Sequence, residues 1–327
     1  MKELKGKKIL ITGGLGFIGS NLANECVKHG AHVTVFDCLD PRSGGNQYNV
    51  QSIAESLQFS YHNILDFDQV SQVVPGKDII FNCASSTSHS FSMREPWIDT
   101  DVNSKGVINL LEAIRRFNPK VKFVHLGTST QLGKLSYQPA DENHPEFPTD
   151  IYSANKSVSE KYAIIYSKAF GIRATVVRLS NVFGPRASIH SPEFTFNNYF
   201  IGLALQEKDV TVYGDGGQMR NVLYVDDAVS ALVLGALSDE ANGEVFFAVA
   251  DEHFSVAEIA RATVKHLGGD VEFVDWPKGK KAVDVGDAIL TNEKIKEILD
   301  WAPVNSLESG LAQTGAYYKD CMDQYLR

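Results

Sequence analysis

An apolar run that ends in a glycine-rich turn is the feature that most constrains the fold of this chain. Residues 9–19 read ILITGGLGFIG, so Gly13, Gly16 and Gly19 follow a predicted strand and open a predicted helix. Glycine permits the tight turn, and backbone N–H groups at the helix start can then approach a pyrophosphate. The alternative is a glycine-rich turn without a ligand, which the strand-to-helix context disfavours. The segment therefore predicts a dinucleotide-binding turn in an α/β sheet.

The first part of the chain alternates short apolar runs with helical patterns. Predicted strands lie at residues 8–12, 32–37, 59–64, 78–84, 122–128 and 173–180, and predicted helices begin near residues 16, 66, 96 and 152. The strands are rich in Val, Ile and Phe without polar alternation, which is typical of burial on both faces. The predicted fold class is α/β: a Rossmann-type doubly wound parallel sheet with a smaller C-terminal α/β substrate lobe.

The pattern changes after residue 180. A helix is predicted at residues 194–206 and a strand at 210–214, while a helix at 226–237 and a strand at 244–249 return to the sheet. The tail holds a capping box at Ser255 and Glu258, a strand at 271–275 and two more helices. We predict a dinucleotide-binding domain from residues 1–180 and 222–250, and a ligand-binding lobe from residues 181–221 and 251–327.

Composition and the distribution of charge disfavour a nucleic-acid partner, a secreted protein, a membrane protein and a metal site. The 327 residues carry a formal net charge of -9, with 43% hydrophobic and 22% charged residues, so a nucleic-acid partner is disfavoured. The charged start and the absence of a long apolar run predict neither a signal peptide nor a membrane span. The four cysteines show no metal-ligand spacing. We expect a cytoplasmic protein with reduced thiols and no metal.

A tyrosine and a lysine four residues apart indicate the chemistry. Tyr152 and Lys156 share one helical face, where the ammonium can favour the phenolate and make Tyr152 a proton-transfer group near neutral pH. The spacing alone is a weak signal, but Thr128 places a hydroxyl at the end of an upstream apolar strand. With the glycine turn, these residues indicate a nicotinamide redox site.

An acidic residue favours NAD over NADP. Asp37 ends the second predicted strand, where a carboxylate can accept both ribose hydroxyls and would repel a 2′-phosphate. Arg42 lies close in sequence and could weaken that preference. Asn63 and Ile64 end the third predicted strand in a position suited to adenine, although a strand end followed by a capping Asp66 is an equal alternative.

Four motifs in order resemble the extended short-chain dehydrogenase/reductase family, and within it the NAD-dependent nucleotide-sugar epimerases and dehydratases. They are TGGLGFIG at residues 12–19, YSANK at 152–156, RLSNVFGP at 178–185, and GDGGQMR at 214–220 followed by VDD at 225–227. The closest pattern is that of members similar to UDP-glucose 4-epimerase. The resemblance runs from about residue 7 to residue 303.

The resemblance implies roles for individual residues. Tyr152, assisted by Lys156, would remove a proton from a sugar hydroxyl while hydride passes to NAD, and Thr128 would hydrogen-bond the same hydroxyl. Asn103 would support the active-site helix through its backbone, with a surface helix residue as the alternative. The implied NAD contacts are Gly13, Gly16, Phe17, Ile18, Gly19, Asp37, Asn63, Ile64, Ala84, Thr87, Asn103, Tyr152 and Lys156. The implied substrate contacts are His89, Ser129, Thr130, Asn181 and Arg220.

The residues after Thr128 bear on the reaction. Dehydratases that resemble this chain place Asp-Glu there, and decarboxylases place Glu at the position of Thr130, whereas this chain has Ser129 and Thr130. We therefore expect a nucleotide-sugar 4-epimerase that acts through a transient 4-keto intermediate. The alternatives are a dehydratase, 2-epimerase or reductase that uses NAD and a nucleotide sugar, or a non-catalytic NAD-binding regulatory protein.

Two further expectations follow from the resemblance. Arg220 would bind the nucleotide diphosphate, and because a second arginine of the family is not evident, Lys280 or Lys281 could supply charge in its place. Apolar residues recur over residues 97–117 and 152–170, and in relatives these helices meet their copies. We expect a homodimer, although such helices could instead cover the sheet.

Overall fold

In a computed structural model of the chain, residues 2–277 and 285–326 are described; Lys280 and Lys281 lie outside them. The strands are β1 (Lys8–Thr12), β2 (His32–Phe36), β3 (Leu57–Ser60), β4 (Ile79–Asn82), β5 (Lys122–Thr128), β6 (Arg173–Leu179), β7 (Asn181–Phe183), β8 (Val210–Tyr213), β9 (Met219–Arg220), β10 (Val222–Tyr224), β11 (Val245–Ala248), β12 (Phe254–Ser255) and β13 (Val271–Val274).

The helices alternate with these strands. They are α1 (Phe17–Lys28), α2 (Phe67–Val73), α3 (His89–Arg94), α4 (Pro96–Thr100), α5 (Gly106–Phe117), α6 (Ile151–Phe170), α7 (Phe196–Leu205), α8 (Val225–Leu237), α9 (Val256–Leu267), α10 (Glu293–Leu299) and α11 (Leu307–Tyr318). Short 3₁₀ helices span Lys2–Leu4, Gln47–Ser56, Ser129–Leu132 and Met322–Gln324, and a π-helical turn spans Asp101–Lys105.

Seven strands form one parallel sheet in the order β11-β6-β5-β4-β1-β2-β3. The chain builds β2 and β3 to one side of β1, then crosses over to β4, β5 and β6 on the other. The order therefore reverses between β1 and β4, and in such sheets a ligand binds in the crevice at the carboxyl ends of those strands. The predicted doubly wound α/β fold is confirmed.

Both faces of the sheet are buried in apolar side chains. Ile9, Ile11 and Phe81 point into the cluster that includes α1 and α8, whereas Leu10 and Ile80 point into the cluster that includes α5 and part of α6. Neighbouring residues of one strand thus enter opposite cores. This explains why the strands lack polar alternation.

Several predicted strand ends were wrong because a strand ends where its partner does. Strand β3 was predicted over residues 59–64, but it pairs only with β2, and the last pair is Phe36 with Ser60. Strand β4 was predicted to reach residue 84, but its pairing with β1 ends at Thr12 and Asn82. Helix α3 and the 3₁₀ helix before β3 were not predicted at all.

Three small sheets follow the point where β6 ends. Strand β7 pairs with β10 and β8 with β13, both parallel, while β9 pairs antiparallel with β12. Strand β11 returns to the main sheet beside β6, as predicted, and the Ser255–Glu258 capping box opens α9. Across the parts of the chain described, no helix is both long and apolar enough to cross a bilayer.

Candidate active site

The glycine turn closes tightly between β1 and α1. Gly13 has φ +65°, and a Cβ there would lie 2.7 Å from the Cys83 carbonyl at the end of β4. A Cβ on Gly19 would collide with the Gly13 carbonyl oxygen. Gly16 caps α1 without a side-chain hydrogen bond, and Phe17 and Ile18 open the helix. The first-turn N–H groups of α1 thus lie at the switch point of the sheet, where they can bind an anion.

The Asp37 carboxylate is held beside the glycine turn. It follows β2 directly and accepts hydrogen bonds from the Leu15 N–H at 3.0 Å and the Leu39 N–H at 2.9 Å. Burial raises the pKa of Asp37, and these backbone bonds oppose the rise. Arg42, which could have weakened a preference for NAD, instead forms a bidentate pair with Asp40 at 2.8 and 2.6 Å.

The loops after β3 and β4 border the same crevice. Asn63 accepts a hydrogen bond from the Leu65 N–H, and Ile64 is buried where it packs against Gly106 at the start of α5. Both lie in the turn before α2, which Asp66 caps. Ala84 follows β4 and donates its N–H to the Thr12 hydroxyl at 3.4 Å. Thr87 is exposed. Contacts of Asn63, Ile64, Ala84 and Thr87 with a cofactor remain predictions.

Three hydroxyl side chains join the end of β5 to the start of α6. Thr128 Oγ1 and Thr130 Oγ1 are 3.1 Å apart, and Ser153 Oγ donates to Thr130 Oγ1 at 3.0 Å. Thr128 also caps the 3₁₀ helix that Ser129 opens, because its Oγ1 accepts the Thr130 N–H at 3.3 Å. The structure thus brings Thr128 and Thr130 to Ser153, the residue after Tyr152 on α6, while the roles of Thr128, Thr130 and Tyr152 remain predictions.

Burial has the largest effect on the pKa of Tyr152. Burial raises the pKa of the phenol, the Thr128 hydrogen bond lowers it, and the charges of Asp99 and Asp150 raise it further. Lys156 is buried as well, donates Nζ–H to the Leu126 carbonyl at 2.5 Å, and has its pKa lowered by burial to about 8. Desolvation is therefore the larger effect on Tyr152 in the chain by itself, and activation of Tyr152 by Lys156 stays a prediction.

Asn103 holds a loop of the site. It is 2% exposed in the π-helical turn, which excludes the surface alternative. Its Oδ1 accepts hydrogen bonds from Ser85 Oγ at 2.7 Å and the Ser86 N–H at 3.1 Å, and its Nδ2 donates to the Ser86 carbonyl at 2.9 Å. The side chain therefore fixes the loop after β4. A role for its backbone remains a prediction.

Helix α6 is fixed by neighbours that the sequence did not indicate. Ser104 Oγ donates to Asn155 Oδ1 at 3.0 Å, and Asn155 Nδ2 donates to Asp99 Oδ1 at 2.8 Å. Asn155 lies between Tyr152 and Lys156 in the sequence, so these bonds set the rotation of the helix that carries both. The partners come from α4 and the π-helical turn, about fifty residues earlier, and no local pattern relates them.

His89 lies against Tyr152 and is paired with a carboxylate. His89 Nδ1 is 2.7 Å from Asp150 Oδ2, and the His89 and Tyr152 rings meet edge to face with centroids 4.8 Å apart. Asp150 also caps α6, because its Oδ1 accepts the Ser153 N–H at 2.8 Å. Ser92 Oγ accepts the Tyr152 N–H at 3.1 Å. Asp150 could have been predicted as a helix cap from its position three residues before Ser153. No sequence pattern indicates its pair with His89.

Asn181 and Arg220 form a second group, joined through Asn221. Asn181 Nδ2 donates to the Asn221 carbonyl at 3.1 Å, and Arg220 Nη1 donates to the Met219 and Gly286 carbonyls at 2.9 and 2.6 Å. The Asn221 side chain is buried and bonds Ser180, Ala250 and Glu252. Sequence reasoning missed Asn221, which holds this group to the ends of β6 and β11.

Comparisons with known proteins show the family of the chain. A family model described as GDP-mannose 4,6 dehydratase matches residues 10–314. A putative UDP-glucose 4-epimerase of Methanocaldococcus jannaschii is 29% identical and aligns over 95% of this chain and 98% of its own. UDP-glucuronic acid decarboxylase 1 of Xenopus tropicalis is 31% identical, over 98% of this chain and 74% of its own. The NAD complex of Bacillus anthracis dTDP-glucose 4,6-dehydratase superposes with a TM-score of 0.84, 27% identity and coverage of 97% and 98%.

Proposed function

The chain belongs to the GDP-mannose 4,6-dehydratase family of NAD-dependent nucleotide-sugar enzymes, and from this premise we propose that it is a nucleotide-sugar 4-epimerase. Its similar proteins include epimerases, decarboxylases and dehydratases, so the family alone leaves the reaction open. The choice among them depends on the side chains beside Tyr152.

One observation carries the proposal: hydroxyls stand where the other reactions are expected to use carboxylates. Ser129 and Thr130 follow Thr128, and Thr130 is hydrogen-bonded to Thr128 and Ser153. The nearby buried acid Glu160 is committed to Arg178, whose Nε and Nη2 donate to it at 2.8 and 2.6 Å. Elimination of water needs an acid and a base beyond the tyrosine, whereas reversible oxidation at C4 does not.

Roles follow for the residues around the sugar. Tyr152 takes the proton of the C4 hydroxyl and returns it, and Thr128 hydrogen-bonds the same oxygen. Lys156 holds the nicotinamide ribose from its buried position on α6. When bound, NAD accepts hydride from C4 and gives it back to either face of the 4-keto sugar. Rotation of that sugar between the two transfers inverts C4 with no net oxidation.

The residues present fit NAD. The glycine turn presents backbone donors for the pyrophosphate, and the Asp37 carboxylate, fixed by Leu15 and Leu39, is an acceptor for the ribose hydroxyls. We assign cofactor contacts to the residues predicted for them, with Asn103 acting through the loop that it holds. Residues 1–180 and 222–250 would carry NAD.

Residues 181–221 and 251–327 would carry the nucleotide sugar. Arg220 is a planar donor suited to phosphate oxygens, and Asn181 adds an amide. His89, Ser129 and Thr130 lie beside Tyr152 and would contact the sugar.

We further propose a homodimer whose interface is formed by the helices of residues 97–117 and 152–170. Trp97 is 79% exposed and Ile165 54% exposed, and Met93 and Val158 are also exposed on α3 and α6. Helices α3, α4 and α6 contact one another, and each carries at least one exposed apolar side chain that a partner could cover. A second copy of the chain would cover these side chains.

Product analysis tests the reaction. The protein is incubated in deuterated water with NAD and with UDP-, GDP-, CDP- and dTDP-glucose in turn. We expect one of them to give its C4 epimer with unchanged mass and without free NADH. A product lighter by water or carbon dioxide would refute 4-epimerisation, and deuterium on a ring carbon would indicate enolisation.

A further inference from the structure

A cationic cavity lies at the edge of the main sheet opposite the candidate active site. Its volume is about 350 Å³, and residues at or just before the amino ends of four neighbouring strands line it, β6, β5, β4 and β1. Lys122 and Thr128 are the two ends of β5, so the cavity lies roughly 20 Å from the proposed catalytic residues. Five lining residues are cations: Lys7, Lys77, Lys120, Lys122 and Arg173.

The cavity holds more positive charge than its own carboxylates balance. Asp78 and Asp239 also line it. Asp78 Oδ2 accepts the Lys8 N–H at 2.7 Å, and an Asp239 oxygen lies 3.3 Å from Lys122 Nζ. Five cations therefore share the cavity with two carboxylates, in a chain whose net charge is -9. Within residues 2–277 and 285–326, four of the cations form no ion pair: Lys7, Lys77, Lys120 and Arg173.

Lys122 is the most deeply buried of the five cations. Its Nζ donates to the Ser238 carbonyl at 2.5 Å and to Asn242 Oδ1 at 2.7 Å. Burial lowers the pKa of Lys122, the Asp239 bond opposes this shift, and the charge of Arg173 adds to it. The Lys122 and Arg173 charges are therefore near enough to repel each other, and an anion bound beside both would offset that repulsion.

Lys77 and Arg173 are held in place by uncharged partners. Lys77 Nζ donates to Thr34 Oγ1 at 2.6 Å, and Arg173 Nη2 donates to the Lys120 carbonyl. An ammonium has three N–H donors and a guanidinium has five, so each group keeps donors for the oxygens of an anion. These hydrogen bonds fix the two side chains without neutralising their charge.

We propose that this cavity binds a small anion with two or three linked phosphates. Neighbouring strands lie about 4.8 Å apart, so cations from β1 to β6 are spread over three strand spacings, roughly 14 Å. A single phosphate contacts the cations of one or two strands, whereas linked phosphates contact those of three. The ligand is either inorganic pyrophosphate or tripolyphosphate, or the phosphate chain of a nucleotide. The site is separate from the proposed function and needs neither NAD nor a nucleotide sugar.

Titration calorimetry measures the preference for linked phosphates. Orthophosphate, pyrophosphate and tripolyphosphate are titrated into the NAD-loaded protein at constant ionic strength and without divalent cations. Bound NAD fills the glycine turn, so that turn does not contribute. We expect tripolyphosphate to bind at least about tenfold more tightly than orthophosphate, because it accepts further hydrogen bonds from charged donors. ATP that binds as tightly as tripolyphosphate indicates a nucleotide ligand, and weaker binding of ATP indicates an inorganic one.

A matched pair of double variants locates the bound anion. Lys7→Gln with Lys120→Gln removes two exposed cations whose side chains form no hydrogen bond in the part of the chain described, so the fold should persist. This variant should bind tripolyphosphate about tenfold more weakly. Lys265→Gln with Lys319→Gln removes the same charge from exposed positions on α9 and after α11, and its affinity should be unchanged.

The Arg220→Gln variant separates the cavity from the group that would bind the nucleotide diphosphate. Tripolyphosphate should bind to it as to the unmodified protein, and loss of binding would overturn the proposal. Absence of tripolyphosphate binding to the unmodified protein, or equal weakening by both double variants, would also overturn it. The 4-epimerase proposal is tested by the identity of the product, so either proposal can fail while the other stands.

Discussion

In the proposed reaction, turnover depends most on Tyr152. Tyr152→Phe keeps the ring against His89 and removes only the phenolic hydroxyl, so the fold and NAD binding should persist. Turnover should fall by about 10²- to 10⁴-fold, the range of acid–base catalysis. Initial rates of epimer formation and NAD titrations measure the two effects.

Lys156→Ala is the matched comparison for that variant. It removes a buried ammonium that donates to the Leu126 carbonyl, so both turnover and NAD binding should decline. Near-normal activity of Tyr152→Phe would show that another group transfers the proton.

Asp37 should decide between the two nicotinamide dinucleotides. Asp37→Asn removes the charge and keeps an acceptor oxygen for only one of the Leu15 and Leu39 N–H groups, which bond different carboxylate oxygens, whereas Asp37→Ser shortens the side chain as well. Both variants should bind NAD at least about tenfold more weakly, because a hydrogen bond to a charged group contributes about 1.5–3 kcal/mol. Both should also bind NADP more readily, because they lack the negative charge that repels a 2′-phosphate. Tighter binding of NADP than of NAD by the unmodified protein would contradict the argument.

At the scale of elements, Glu112 connects α5 to α6. It accepts hydrogen bonds from Arg115 Nε at 2.8 Å on its own helix and from Tyr166 Oη at 2.8 Å on α6. The Arg115 bond lowers the pKa of Glu112 to about 2 from its ordinary value of 4.5; burial opposes this shift, and the Tyr166 bond supports it. Its stabilising effect is present above pH 4.5 and is lost as the pH falls toward 2, because the unfolded chain takes up the proton first.

Glu112→Gln should therefore lower the free energy of unfolding at pH 6, by roughly 1 kcal/mol or less because the pair is partly solvated. The difference in the free energy of unfolding between Glu112→Gln and the unmodified protein should become smaller as the pH falls from 4.5 to 3. Urea unfolding at several pH values measures it. Glu297→Gln, on the exposed side of α10, is the control. If the effect of Glu112→Gln on the free energy of unfolding stays constant down to pH 3, the stabilising role of the ionised Glu112 is refuted.

Element positions could be predicted from the sequence far better than their ends. The strands β1 and β5 were predicted with their observed bounds, because a buried apolar run between polar residues marks them. Strand β3 was misplaced since its end depends on β2, and the π-helical turn before α5 has no local signature. The end of a strand and the place of a π-helical turn depend on strand pairing and on side-chain contacts between distant segments. The hydrophobic periodicity of a sequence carries no information about either.

At the scale of the whole molecule, the sheet assembles the site from distant segments. The order β5-β4-β1-β2 brings Thr128, the loop after Asn82, the glycine turn and Asp37 to one edge. The gathering of these residues could be predicted, since parallel strands end at a common edge. The His89–Asp150 pair and the raised pKa of Tyr152 could not, because the pair joins segments about sixty residues apart and the pKa depends mainly on burial.

The oligomeric state is a second property of the whole molecule. Light scattering at micromolar concentration should give twice the chain mass, and Trp97→Glu combined with Ile165→Glu should give the mass of one chain, because two charges would be buried in the interface. Val304→Glu alters an exposed apolar residue whose backbone N–H bonds Asp227 of α8, and it should leave the mass unchanged. A single-chain mass for the unmodified protein would contradict the dimer.

The fate of the hydrogen at C4 tests the central claim most directly. The nucleotide sugar that turns over is prepared with deuterium at C4 and converted in ordinary water with the NAD-loaded protein. If one hydride leaves C4 and the same hydride returns to the opposite face, the epimer keeps the deuterium at C4, as carbon and deuterium NMR would show. A product that has lost the label, or that carries it on another carbon, would contradict 4-epimerisation through a transient 4-keto sugar.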